Sequence, residues 1–193
     1  MAIIDDLINR TINGKGNSDQ HTMSIFGIAI GLKAQNILEL GVYEGATSQP
    51  LAFAASLTDG HLTSVDNYIR AQNFPKELEP YRTIVEKDSI EFLVQAAKEG
   101  KKYDLIYIDD WHEYSHVKRE LELIDQIITN ESVILLHDLL AFTCPAYHQP
   151  LEAPKGTEWG EGGPTKAVFE LNKDNWEWST IPVNNGLTIL RRI

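Results

Sequence analysis

The feature that most constrains this chain is a regular alternation of short apolar runs with longer stretches at helical spacing. Ile37–Leu40, Leu62–Val65, Thr83–Val85, Leu105–Ile108 and Ser132–Leu136 read as five strands. Residues 47–57, 90–98 and 114–129 read as helices, the last with Val117, Leu121, Ile124 and Ile128 on one face. Short runs without strict apolar–polar alternation belong to strands covered on both faces. Strands that alternate with helices build a parallel sheet with helical crossovers. The expected fold is therefore α/β, a Rossmann-like doubly wound sheet.

The two ends depart from this rhythm. Residues 2–10 and 22–33 read as helices, separated by the breakers Asn13, Gly14, Gly16 and Asn17. In the second helix Ile25, Ile28, Ala29 and Leu32 share a face. Near the other end, Trp176–Ile181 and Leu187–Leu190 flank Asn184-Asn185-Gly186, a hairpin signal that predicts a final antiparallel pair after a helix over 165–172. Residues 139–164 carry Pro145, Pro150, Pro154, Pro164, Gly156, Gly160, Gly162 and Gly163 and fit no regular element. A loop this long in a compact domain commonly serves as a lid, and Phe142, Tyr147, His148 and Trp159 suit one. One domain over 1–193 is expected: an N-terminal helical cap (1–34), a core (35–138), the lid-like loop (139–164), then the last helix and hairpin (165–193).

Charge and composition narrow the function. A net charge of −11 leaves little positive charge to displace counterions, so nucleic acid is not an expected partner. No run approaches the roughly 20 apolar residues of a membrane span, so no membrane is expected either. The acidic start MAIIDDLINR lacks the order of a secretory signal, and the single cysteine, Cys144, cannot form an internal disulfide. The expected compartment is the cytoplasm.

In open parallel sheets, ligands bind beyond the carboxyl ends of the strands. Here those ends are Glu39-Leu40-Gly41-Val42-Tyr43-Glu44-Gly45, Asp66-Asn67, Asp88-Ser89, Asp109-Asp110-Trp111-His112 and His137-Asp138. The glycine spacing is G-x-x-x-G, without the G-x-G-x-x-G of a nicotinamide dinucleotide site, which argues against an NAD-dependent oxidoreductase. Glu39 and Glu44 flank the turn with no basic residue near, which suits a cationic or zwitterionic ligand. Asp66 follows Gly45 by 21 residues, where an acid can accept a ribose diol, and Asp88 with Ser89 could face an adenine edge. Each acid also has a plainer reading as a helix cap.

NILELGVYEGATS, LTSVDN, EKDSIEFL, YDLIYIDDWHEYSHVKRELELI and SVILLHD together resemble the class I S-adenosylmethionine-dependent methyltransferases. Among these they look most like the small O-methyltransferase group that includes macrocin O-methyltransferase and cephalosporin-hydroxylase-type proteins. The resemblance spans about 35–140 and extends to the tail through TKAVFELNKDNWEW and GLTILRR. It implies a seven-stranded sheet with an antiparallel last strand and S-adenosyl-L-methionine as cofactor. Gly41 and Gly45 would approach the methionine moiety, with Glu39 and Tyr43 nearby. Asp66 would hold the ribose, Asp88 and Ser89 would face the adenine, and Asn67, Asp109 and Trp111 would complete the cofactor site, Trp111 by stacking on adenine or by simple packing.

Asp109, His137 and Asp138 end neighbouring strands if the sheet follows that group. Converging carboxylates repel unless a proton or cation lies between them. One reading is a divalent metal, Mg²⁺ or another, although an imidazole in the ligand set favours Mn, Fe or Zn. The other is a hydrogen-bonded His–Asp pair. His112, with Asp109 beside it, is the candidate general base, because an unperturbed imidazole titrates near working pH. His21 is a lesser candidate. Lys118, Arg119, Glu120 and Glu122 read as a solvated helix face. The expected reaction is methyl transfer to a hydroxyl of a small-molecule acceptor. The alternative is a non-catalytic S-adenosylmethionine-binding module. The N-terminal helices offer a surface on which a homodimer could form.

Overall fold

A computed structural model describes residues 3–16, 18–70, 74–144, 149–150 and 162–193. The N-terminal layer is α1 (Ile3–Asn13), a 3-10 turn (Asp19–His21) and α2 (Thr22–Leu32). There follow β1 (Asn36–Leu40), α3 (Ser48–Leu57), β2 (His61–Asp66), a 3-10 turn (Lys76–Tyr81), β3 (Arg82–Glu86), α4 (Ser89–Lys98), β4 (Leu105–Ile108), α5 (Tyr114–Ile124) and β5 (Val133–His137). The chain closes with α6 (Gly163–Phe169), β6 (Trp176–Ile181) and β7 (Leu187–Arg192). A 3-10 turn (Leu139–Phe142) and a two-residue ribbon, Thr143–Cys144 with Gln149–Pro150, lie between β5 and α6.

The sheet has seven strands in the order β3-β2-β1-β4-β5-β7-β6. The first five run parallel, β7 lies antiparallel to β5, and β6 pairs antiparallel with β7. This is the expected doubly wound sheet with an antiparallel end. Side-chain alternation splits the core between the two faces. Ile106, Ile108, Ile134 and Leu136 pack with Phe92, Leu93, Val117, Leu121 and Val168 from α4, α5 and α6. Leu105, Tyr107 and Leu135 pack with Ile25, Ala29, Leu51 and Ala55 from α2 and α3. Each fully buried Leu or Ile contributes roughly 1.5–3 kcal/mol relative to exposure, so every residue of β4 stabilises one face or the other.

Chain direction across the sheet reverses between β1 and β4. Strands β2 and β3 continue to one side of β1, and β4 and β5 to the other. A crevice therefore opens above the carboxyl ends of β1 and β4. The register that pairs Ile108 with Leu136 sets Asp109 against His137 at that rim.

Three elements differ from the sequence reading: helix α1 runs on through Asn13, expected to break it, and α5 and α6 have other bounds. Helix α5 ends at Ile124 rather than near Thr129. Ile127 and Ile128 turn back into the core, Tyr103 donates its amide to the Ile127 carbonyl, and the Ser132 hydroxyl accepts the Thr129 amide, so tertiary contacts end the helix early. Helix α6 spans Gly163–Phe169 rather than 165–172. Most of the expected lid falls outside the described residues, including Tyr147, His148, Trp159 and the side chain of Phe142. No helix among the described residues is long and apolar enough to cross a membrane.

Candidate active site

The crevice holds a cleft of about 750 Å³, walled by the β1–α3 turn, the ends of β2 and β4, the starts of α4 and α5, and Ser18 and Asp19 from the N-terminal layer. Gly41 has φ of +85°, and a Cβ there would lie 2.2 Å from the Asp109 carbonyl oxygen. Its glycine is thus demanded by the close passage of β1 against β4, at the cleft wall. Gly45 also has positive φ (+79°) but does not line the cleft; it shapes the turn.

Glu39 is fully buried beneath that turn rather than facing the cleft. It accepts hydroxyl hydrogen bonds from Thr47 (2.7 Å), Ser48 (2.6 Å) and Ser64 (2.5 Å). Burial raises its pKa against the pull of those three donors. Glu39 therefore braces the turn, and only Thr47 of its partners reaches the cleft.

Asp66 lines the cleft and also holds the turn. Its Oδ2 accepts the amides of Val42 (2.8 Å) and Tyr43 (3.0 Å), and its Oδ1 the amide of Tyr68 (2.9 Å). A carboxylate has about four lone-pair positions, so Oδ1 keeps room for about one further donor. Asp88 caps α4 by accepting the Glu91 amide (3.1 Å) and also faces the cleft, so the capping and lining readings hold together. Tyr43, held at φ of +48°, carries the Arg70 guanidinium 4.3 Å above its ring. Asn67, Ser89 and Trp111 line the same wall. Trp111 is half exposed, and its indole N–H reaches Glu113 (3.3 Å).

Beyond β4 and β5 the structure brings Asp109, His112, His137 and Asp138 together. Asp138 sits at φ of +64°, a left-handed conformation that aspartate tolerates better than most residues, and this turns its carboxylate back toward Asp109. His112 Nε2 lies 2.9 Å from Asp138 Oδ2 and 3.4 Å from Asp109 Oδ1. His137 Nδ1 lies 3.2 Å from Asp138 Oδ1 and 3.5 Å from Asp109 Oδ1. Asp109 Oδ2 accepts the hydroxyls of Tyr107 (3.0 Å) and Ser18 (3.2 Å), which ties the N-terminal layer to the cleft.

Burial disfavours the charged forms of all four groups, but mutual attraction outweighs it. Hydrogen bonds and charge from Asp109 and Asp138 lift His112 to about 10 and His137 to about 9. The same contacts hold Asp109 well below the usual carboxylate range and Asp138 at about 2. The expectation of an imidazole titrating near neutrality is therefore corrected: in this arrangement His112 is a cation at neutral pH. His21 is fully buried edge-on to His137, with ring centroids 5.3 Å apart. Burial, then the charge of His137, lowers its pKa, so it stays neutral and does not line the cleft.

A second cluster escaped the sequence reading. Glu120, expected on a solvated face, is fully buried. His116 Nε2 stands 3.0 Å from Ser89 Oγ, 3.3 Å from Asp110 Oδ2 and 3.5 Å from Glu120 Oε1. Burial and the nearby Asp110 charge raise Glu120 to about 8; the two acids, outweighing burial, raise His116 to about 10. The available signal was the i, i+4 spacing of His116 and Glu120, one turn apart on the helix that follows Asp110.

No curated protein matches the sequence. Among solved structures, the fold resembles the O-methyltransferase TomG from Streptomyces achromogenes in complex with SAM, with a TM-score of 0.72, 15% identity and coverage of 100% of this chain and 90% of that one. It also resembles the Bacillus cereus O-methyltransferase in complex with SAH (0.70, 12%, 100% and 91%) and the SAH-bound Podospora anserina methyltransferase PaMTH1 (0.66, 15%, 100% and 88%). At these identities the likeness is one of fold. Residues 38–139, which contain the glycine turn, Asp66, Asp88 and both histidine–acid clusters, match the methyltransferase-domain family. The chain belongs to that methyltransferase family and carries the class I fold of S-adenosylmethionine-dependent enzymes.

Proposed function

We propose that the protein transfers a methyl group from S-adenosyl-L-methionine to a hydroxyl oxygen of a small-molecule acceptor. The observation that carries this reading is the acid-rich cleft at the switch point, with the His112–Asp109–Asp138 group at one end. Asp19, Glu44, Asp66, Asp88, Asp109, Asp110 and Asp138 line it, against Arg70 and the imidazoles of His112 and His116 among the described residues, so acids outnumber cations. Such a field suits a sulfonium bearing an α-amine and opposes polyphosphates and nucleic-acid backbones. When bound, the cofactor supplies the activated methyl group.

The chain's part is chiefly binding and alignment. Asp66 would accept a ribose hydroxyl on Oδ1. Asp88, Ser89, Asn67 and Trp111 would frame the adenine, and Tyr43 and the Gly41 backbone the methionine side. Asp109 and Asp138 would orient the acceptor hydroxyl, and His112 would take its proton at Nε2 in the fraction of molecules in which the imidazole is neutral, a fraction that grows as pH rises toward about 10. Ser18 and Asp19 of the N-terminal layer would wall the acceptor side. One domain acting as a small-molecule enzyme in the cytoplasm is consistent with the lone cysteine.

A divalent ion fits the donor set of Asp109, His137 and Asp138. Ligand atoms about 2.0–2.2 Å from one ion stand roughly 3–3.6 Å from their neighbours, and the His137 Nδ1 separations are 3.2 and 3.5 Å. The buried imidazole favours Mn, Fe or Zn over Mg. When bound, the ion would supply charge compensation and acidify a ligated hydroxyl.

The test is turnover of labelled S-adenosylmethionine with catechols, sugars and hydroxylated metabolites, with and without added metal. His112→Gln is expected to lower turnover about 100-fold or more, the scale of general-base catalysis, while S-adenosylhomocysteine affinity stays within threefold. Cofactor binding without turnover on any acceptor would favour the non-catalytic module. Absence of cofactor binding would overturn both readings.

A further inference from the structure

We propose that Asp110, His116 and Glu120, with Ser89 beside them, form a second divalent-cation site, separate from the Asp109–His137–Asp138 group and set in the wall between α4 and α5. Three observations converge on it. First, one nitrogen, His116 Nε2, faces three oxygens: Ser89 Oγ at 3.0 Å, Asp110 Oδ2 at 3.3 Å and Glu120 Oε1 at 3.5 Å. A single N–H can serve one of them well. A metal ion on that nitrogen can serve all.

Second, the distances suit a shared ion better than direct ion pairs. Charge-assisted N–H···O bonds run about 2.7–2.9 Å. Atoms ligating one ion at about 2.0–2.2 Å lie roughly 3–3.6 Å apart. The ligand atoms of Asp110, His116 and Glu120 all lie within 4.8 Å of one another.

Third, the Glu120 carboxylate is fully buried, points into this group, and has no hydrogen bond to either oxygen among the described residues. Asp110 Oδ1 is likewise buried without a hydrogen bond. Leaving buried carboxyl oxygens without partners is costly, and a coordinated cation is one of the few ways to satisfy both groups at once. One imidazole with two carboxylates selects a borderline transition ion (Mn²⁺, Fe²⁺, Co²⁺ or Zn²⁺) over Mg²⁺ or Ca²⁺. Because Ser89, Asp110 and His116 also line the cleft, the ion would fix the start of α5 against the start of α4 and leave a face toward bound ligand.

The inference does not depend on methyl transfer, and its readout is metal rather than turnover. Chelator-treated protein carrying Asp109→Asn and Asp138→Asn, which disables the other group, is titrated with Co²⁺ and Zn²⁺. Bound metal is counted after gel filtration, and Co²⁺ ligand-field bands are recorded. One equivalent is expected, with visible bands. Adding Glu120→Gln is expected to weaken binding at least 100-fold and abolish the bands, and adding His116→Gln independently is expected to do the same. Circular dichroism and melting of the metal-free variants establish that each is folded. A folded Asp109→Asn/Asp138→Asn protein that binds no metal would overturn the proposal and leave a shared proton as the bond between the acids. So would metal retained at full affinity in both further variants.

Discussion

Replacing Asp138 with asparagine should return His112 toward neutrality. The Asp138 carboxylate is nearly buried, and its Oδ2 lies 2.9 Å from His112 Nε2. Two unit charges with centres roughly 4 Å apart interact by about 4 kcal/mol at an effective dielectric of about 20, which sets a ceiling near three pKa units at about 1.4 kcal/mol per unit. Partial exposure of the imidazole reduces this, and Asp109 Oδ1 remains 3.4 Å away. The expected result is a fall of about 1–3 units from the wild-type value of about 10. The measurement is NMR titration of the imidazole carbon-bound protons. The chain has six histidines, so His112→Gln is needed to assign the resonance. If His112 is the base, the rising limb of kcat/KM against pH moves down by the same amount, because only the neutral imidazole can accept a proton. A His112 pKa unchanged within 0.3 units, or one near 6.5 in the wild type, would refute the electrostatic account of this site.

Other outcomes follow from the same geometry. Asp66→Ala should weaken S-adenosylhomocysteine binding about 10–100-fold, the scale of a charged hydrogen bond plus a loosened turn; calorimetric titration checks it, and a change under twofold would remove Asp66 from the cofactor site. Gly41→Ala should destabilise the fold by about 2 kcal/mol or more, from left-handed strain of roughly 1–2 kcal/mol and the clash with the Asp109 carbonyl. At about 2–4 °C per kcal/mol for a chain of this size, the melting temperature should drop by at least about 4 °C. In metal-free protein, His112, His116 and His137 all bind protons more tightly folded than unfolded. Their stabilisation is complete below about pH 6.5 and is lost as pH rises through about 9–10, so urea midpoints should fall steadily from pH 7 to pH 10; a flat profile would contradict the raised pKa values.

Much of the scaffold was legible in the chain itself. Five short strands, their order of appearance and the Asn-Gly hairpin are local matters: periodicity, turn chemistry and β-branched content act over ten residues or fewer. The acidic strand ends were legible because a parallel sheet sends every carboxyl end to the same rim, so Asp66, Asp88, Asp109 and Asp138 converge whatever fills the loops. The glycine turn was legible in place but not in purpose. Gly41 is required by the backbone of Asp109, just past β4 and 68 residues away along the chain.

Only the tertiary structure decided how the charges pair. Glu39 and Glu44 stand five residues apart, yet one is sealed under three hydroxyls and the other lines the cleft. Glu120 looks like its neighbour Glu122 in sequence but lies buried against His116 and Asp110. His112 reads as a near-neutral imidazole until β4 and β5 bring two carboxylates against it. The physical reason is that secondary structure is fixed by near neighbours. Burial and electrostatics depend on which distant segments meet, and the protonation of each group follows from that meeting.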